Sequence, residues 1–155
     1  MEHQIITKAF NELSAAELYQ IMRLRIEVFI IEQACIYQDA DQKDLHCHHL
    51  MLIKDGELAA YARIVPAGLS FEEISIGRVI TSPRVRGTGA GKILMNAAVS
   101  KSREIYGNVA IRIGAQTYAK AFYAALGFEE TAVAFIEDGI PHLEMVAPPV
   151  SNGFN

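Results

Sequence analysis

The chain has 155 residues, of which 51% are apolar and 21% charged, and a formal net charge of −4. That length and apolar content suit one domain with a real core and exclude a disordered chain, and the acidic balance excludes an overall basic footprint for nucleic acid. No apolar stretch is long enough to cross a bilayer, and no charged n-region with an apolar h-region opens the chain, so a cytoplasmic protein without a membrane or nucleic-acid partner is expected. Cys35 and Cys47 fit a reducing compartment at least as well as a disulfide.

Residues 4–9 read as a short strand. Ser14 and Glu17 form a capping box, in which each side chain satisfies the other's backbone N–H, and predict a helix over residues 14–30. Leu18, Ile21, Met22, Val28 and Phe29 recur at helical spacing and mark its buried face, with Arg25 as the exception. Residues 32–45 lack periodicity and carry Asp39, Asp41 and Asp44. This reads as a solvated loop or short helix whose acids could attract an ammonium group. An EF-hand is excluded, because the ligand series stops at Lys43. His46, Cys47, His48 and His49 suggest a metal site, but a tetrahedral site draws a second ligand pair from elsewhere and no pattern supplies it. No metal is expected.

Residues 49–54 and 57–65 read as strands joined by Asp55-Gly56, a strong hairpin signal. Residues 73–81 read as a further strand. A helix follows over residues 89–106, with Leu94, Ala97, Ala98, the Lys101 stem and Ile105 on one side and Gly107 as its C-cap. Residues 108–114 are apolar enough for a central strand. Thr117 opens a short helix in which Phe122 and Leu126 should bury together, and Gly127 ends it. A hairpin around Asp138-Gly139 completes the domain, residues 1–147. Residues 148–155 read as a loose tail.

The strand-to-helix junction carries the chemistry. Gly87, Gly89 and Gly91 alternate with Thr88 and Ala90, and Arg84 and Arg86 lie just upstream. Glycines allow left-handed backbone and close approach, and a helix start leaves N–H groups unpaired, so the stretch suits an anion such as phosphate. It is not a P-loop. With Gly91-Lys92 aligned, Arg86 takes the place of the first Gly and Ile93 that of Ser/Thr. It is not a dinucleotide fingerprint either, since Lys92 falls where the third Gly belongs and Val109 to Arg112 offer no acidic ribose partner.

The segments Arg84-x-x-Gly87-x-Gly89 and Arg86-x-x-Gly89-x-Gly91 resemble the acyl-CoA loop of the GNAT superfamily, Gln/Arg-x-x-Gly-x-Gly/Ala. Phe122-Tyr123-Ala124-Ala125-Leu126-Gly127-Phe128 is similar to the Phe-Tyr-x-x-Leu-Gly-Phe segment of that superfamily. The stretches Leu24 to Gln33, Tyr37-Gln38-Asp39, Ile76 to Val79 and Glu137 to His142 resemble its ElaA-type subgroup. The resemblance implies an α/β GNAT fold: a mixed, mostly antiparallel central sheet with helices on both faces. It also implies an N-acetyltransferase using acetyl-CoA as co-substrate, acting by direct attack of a primary amine of a small molecule or peptide. An acyl-CoA-binding sensor or scaffold of the same fold, without turnover, is the alternative. Many members are dimers, so a homodimer is the assembly it suggests.

The resemblance further implies roles for individual residues. The CoA pyrophosphate would lie on Arg86, Gly87, Thr88, Gly89, Ala90 and Gly91, with Arg84 adding charge. The pantetheine arm would run along Arg78, Val79 and Ile80, with the N–H of Val79 or Ile80 polarising the thioester carbonyl. Gln116 would contact CoA at a strand end. Tyr123 would be the general acid, because a phenol with a pKa of about 10 is protonated at neutral pH. Glu73, His142 or a water would be the base; Gln33, Arg78 and His142 would line the acceptor pocket, with residues 32–45 as a substrate-facing loop that helps wall it, although Arg78 could equally be a structural ion-pair partner.

Overall fold

The computed structural model describes residues 3–151. Strand β1 (His3–Ala9) leads to helix α1 (Ala15–Arg25). The capping box is formed: the Ser14 N–H donates to Glu17 Oε1 at 2.8 Å and the Glu17 N–H to Ser14 Oγ at 3.0 Å. The helix expected to residue 30 does not remain α-helical. From Ile26 to Glu32 the backbone widens into a π-helix. The Gln33 N–H donates to the Val28 carbonyl and the Cys35 N–H to the Ile30 carbonyl, each five residues back. Such insertions recur at functional sites.

Strands β2 (His48–Lys54), β3 (Glu57–Val65) and β4 (Ser75–Thr81) complete an antiparallel sheet in the order β1-β2-β3-β4. Asp55 and Gly56, at φ 53° and 77°, make the expected tight hairpin turn, in which both central residues are left-handed. Alternation along β2 supplies two faces. Leu50 and Leu52 pack with Leu94, Met95 and Ala98 of helix α2 (Ala90–Tyr106). Met51 packs on the other side with Tyr61, Ile21, Leu24 and Val28. Helices therefore cover both faces.

A second antiparallel sheet has the order β5-β7-β6, with β5 (Ile111–Gln116), β6 (Glu129–Glu137) and β7 (Ile140–Ala147). Strands β4 and β5 meet through the parallel bridge Ile74–Ile111, where the Arg112 N–H donates to the Ile74 carbonyl at 3.0 Å. Past that bridge they separate into two sheets. The order of elements is the one expected.

Several local expectations need correction. Arg25 is not an exception on the buried face of α1: it is fully buried, because carboxylates reach it from the next loop. The buried face of α2 is Ala90, Leu94, Met95, Ala98 and Ser102, so Leu94 and Ala98 are buried as read, whereas Ala97, Lys101 and Ile105 are only half-buried. Ser102 is accepted there because its hydroxyl donates to the Ala98 carbonyl at 2.7 Å. Helix α3 (Lys120–Ala124) is a single short turn after a 3-10 turn. Phe122 stays 37% exposed on it, and Phe128 is the aromatic that enters the core. Pro148 and Val150, within the expected loose tail, are hydrogen-bonded to the body of the domain. Asn108 makes two hydrogen bonds with the Val150 backbone, at 2.8 and 2.9 Å, and Arg103 donates to the Pro148 carbonyl. The rest of the expected tail lies outside the described residues.

Candidate active site

A cleft of about 900 Å³ opens where β4 and β5 part. Its floor is β4, and β4 is irregular. Tyr61 pairs with Ile80 and Arg63 with Gly77, so two steps on β3 face three on β4. The extra residue falls at Arg78, whose φ of 49° is left-handed. A bulge of this kind leaves backbone groups out of the ladder and re-aims them. Arg78, Val79 and Ile80, the residues expected to meet a pantetheine arm, all line the cleft.

The bulge is held by side chains. Arg78 Nε donates to Asp39 Oδ1 at 2.7 Å, and Arg78 Nη2 reaches Asp41 Oδ2 at 3.3 Å. Arg25 donates to Asp39 Oδ2 and Asp44 Oδ1, both at 2.7 Å. Arg63 donates to both oxygens of Asp41 and to Asp44, at 2.7 to 2.8 Å. Three aspartates and three arginines thus form one buried network. Burial raises the pKa of Asp41, but the hydrogen bonds and charge of Arg63, with Arg78 beyond, outweigh it and hold the carboxyl well below the usual range. Asp44 is likewise held low, with burial overcome by Arg25 and Arg63. The loop read as solvated, its acids open to an ammonium, is instead a wall whose acids are already neutralised. Its nearest sequence signal was three arginines, at 25, 63 and 78, without local partners.

His49 is fully buried behind this wall. Its Nε2–H donates to the Asp44 carbonyl at 2.9 Å, and its Nδ1 accepts from the Tyr61 hydroxyl at 2.6 Å. Burial lowers its pKa and keeps it neutral. Cys47 is pushed up to about 11 by burial and donates to the Lys43 carbonyl. Cys47 and His49 are thus spent on internal hydrogen bonds, and the described residues hold no cluster of three or more His, Cys, Asp or Glu suited to a metal.

The glycine turn follows β4. Gly87 and Gly89 have φ of 81° and 86°, and Gly89 is the N-cap of α2. A Cβ at either would meet nothing within 4 Å, so these positions require glycine for conformation, not space. At Gly91 a Cβ would contact Phe122 at 3.5 Å and Thr81 at 3.6 Å, so this glycine packs. The Thr88 hydroxyl donates to the Val85 carbonyl and closes the turn. The turn adjoins the cleft at its Thr81 and Arg86 end without forming its lining. Arg86 is on the rim, bidentate to Glu32 at 2.6 and 2.8 Å. Arg84 differs from expectation: its guanidinium is paired with exposed Glu57 at 2.6 Å and lies outside the lining.

Tyr123, His142, Gln116 and Gln33 are brought together around the cleft. Tyr123 sits on α3 with its ring edge-on to Phe128 and Phe122, at 6.0 and 5.1 Å between centroids. Burial, with the nearby Tyr118 adding to it, pushes its phenol up to about 12, so it is protonated at neutral pH. His142 lies across from Gln116 in the β5–β7 register, 8% exposed. Its ring stacks on Phe135 at 5.1 Å. A carbonyl can only accept, so Nδ1 donates to Ile140 at 2.7 Å, and Nε2 lies 4.0 Å from Glu137 Oε2. Glu73 is a correction. It precedes β4, both its oxygens accept from Arg112 Nε at 3.1 Å, and it is not part of the cleft lining.

Residues 11–147 match the family model of the acetyltransferase (GNAT) domain. The chain belongs to the GNAT acetyltransferase family. A UPF0039 protein of Schizosaccharomyces pombe is 41% identical over 144 residues, covering 92% of this chain and 95% of that one. Protein ElaA of Escherichia coli is 39% identical over 137 residues, covering 87% and 90%. Its crystal structure superposes with a TM-score of 0.87 over 94% of this chain and 99% of that one, at 35% identity. A Pseudomonas aeruginosa structure described as an acyl-CoA N-acyltransferase matches with the same TM-score, coverage and identity. The GNAT fold and the ElaA-type likeness read from the motifs are thereby borne out, and with them an acyltransferase. Among the described residues no helix is long and apolar enough to cross a membrane.

Proposed function

We propose that this GNAT protein transfers an acetyl group from acetyl-CoA to the primary amine of a small molecule or peptide, by direct attack in a ternary complex. The observation that carries this reading is the bulged strand at Arg78, which shares one cleft with a half-buried, protonated Tyr123 and adjoins a glycine turn. The pantetheine arm adds to β4 at Arg78, Val79 and Ile80 as an extra strand would. The pyrophosphate lies on the turn from Arg86 to Gly91, against the helix N-terminus. The N–H of Val79 or Ile80 polarises the thioester carbonyl.

The neutral amine then attacks that carbonyl. The C–N bond forms, the C–S bond breaks, and the amine proton leaves to a base. His142 Nε2 fits that role, since His142 lines the cleft and Nδ1–H on Ile140 leaves Nε2 as the nitrogen able to accept a proton, and a water can replace it. Glu73 does not fit, because Arg112 holds both of its oxygens. Tyr123 meets the departing sulfur. With its pKa raised to about 12, above that of a thiol at about 8.5, it shares its proton with the thiolate as a strong hydrogen-bond donor.

Tyr123→Phe tests the reading with a free-thiol assay over a panel of amines. The expected result is a fall in kcat of about 100-fold with acetyl-CoA affinity within about twofold of wild type. A variant that turns over at the wild-type rate removes Tyr123 from the mechanism. Tight acetyl-CoA binding with no thiol release from any amine would favour a binding module instead.

A further inference from the structure

The acceptor side of the cleft is electrically uneven. Asp39, Asp41 and Asp44 cancel Arg25, Arg63 and Arg78, with every ion pair at 2.7 to 3.3 Å. Lys43 of the same wall is left over. It lines the cleft, is half-buried, and its ammonium donates to the Ser70 hydroxyl at 3.2 Å. Among the described residues no carboxylate is ion-paired with it. Asp41 comes near, but its Oδ1 accepts from the Lys43 backbone N–H and from Arg63. Another part of the lining has the other sign: Glu137 and Asp138, at the β6–β7 turn, line the cleft with no lysine or arginine paired to them among the described residues.

A half-buried cation without a counter-charge, in a cleft, calls for an anionic ligand group. That group is not the CoA pyrophosphate. Lys43 is tied to Ser70, which precedes β4, whereas the glycine turn follows it. None of the turn residues Gly87 to Gly91 is in the lining of the cleft that Lys43 lines.

We infer that Lys43, with Ser70, binds a carboxylate on the acceptor. The substrate class is then an amino acid, or another amine carrying a carboxylate, its ammonium lying toward Glu137 and His142. This rests on the acyl-transfer reading of the cleft. It explains why the wall keeps an unbalanced positive charge and the β6–β7 turn of the same cleft keeps acids.

The test is direct binding, so that it does not depend on turnover. The twenty standard amino acids and their α-carboxamides are titrated onto the full chain and onto Lys43→Gln, with and without CoA, by calorimetry or saturation-transfer NMR. At least one amino acid is expected to bind about tenfold more tightly than its carboxamide. Lys43→Gln should abolish that preference and Lys43→Arg should restore it, with the acetyl-CoA affinity of all three proteins the same. The inference is overturned if carboxamides bind as well as acids, if no amino acid binds, or if Lys43→Gln keeps the preference. Failure of the acyl-transfer reading looks different: acetyl-CoA fails to bind while the carboxylate preference persists.

Discussion

The charged wall at residues 37–44 and the glycine turn at residues 87–91 hold their backbones by opposite means. In the wall, six ionised side chains fix an irregular loop and the bulge at Arg78. In the turn, Gly87 and Gly89 meet nothing that a side chain would displace, and their left-handed φ values define the path. The wall is therefore sensitive to charge and the turn to conformation. Both flank the same ligand strand, so each can be perturbed while the other reports.

The largest effect should come from the wall. Asp44→Ala leaves Arg25 and Arg63 each short of a buried partner. Removing one partner of a buried pair costs about 3–5 kcal/mol, to be read from the urea unfolding midpoint. A loss under about 1 kcal/mol would mean that the network does not hold this wall. Acid is the gentler route to the same break. The folded carboxyls of Asp41 and Asp44 are held low, so their contribution is full above the unfolded value of about 3.9 and is lost as pH falls below it. Buried His49 is also held low. Its unfolded form takes up a proton near pH 6.5 and its folded form does not, so stability should begin to fall below about pH 6.5 and fall faster below about pH 4. A stability curve flat from pH 8 to 4.5 would contradict the placement of His49.

The turn should respond more weakly and by a different rule. Gly89→Ala meets no atom, yet forces an L-residue to φ 86°. It should cost about 1–2 kcal/mol and weaken acetyl-CoA binding. The same substitution at Gly91 has helical backbone and ordinary contact with Phe122 at 3.5 Å. It should be neutral or stabilising by up to about 1 kcal/mol. Equal effects at the two sites would refute the distinction between conformation and packing. Remote from both regions, Ser14→Ala removes the cap of α1. A loss of about 1 kcal/mol is expected, with acetyl-CoA affinity unchanged.

The same contrast explains what the sequence made legible. The hairpin turns at Asp55-Gly56 and Asp138-Gly139, the cap at Ser14 and the glycine turn are signals confined to a few neighbouring residues, and each is present as read. The positions of Arg78, Val79, Tyr123 and His142 around one cleft followed from motif order. The resemblance implied an acceptor-side wall here, but its ion pairs were not legible, because they join residue 25 with residues 39 and 44, and residue 78 with residue 39. Such pairing depends on tertiary proximity, and local polarity argued for solvent instead. The π-helix at Ile26–Glu32 left no mark either, since a helical hydrophobic pattern does not record an extra residue in a turn. Glu73 was misplaced for a related reason: β4 begins two residues later than read, and Arg112, a distant residue, takes up its carboxylate.

The central claim is that the parted strands β4 and β5 receive an acyl-CoA. Calorimetric titration of the chain with acetyl-CoA, with ATP and NADH as controls, tests it most directly, backed by thermal unfolding at ligand in hundredfold excess over Kd. Saturable binding of acetyl-CoA alone, with stabilisation of about 2.7 kcal/mol at that excess, is the predicted result. No response to acetyl-CoA, or an equal response to ATP, would contradict it.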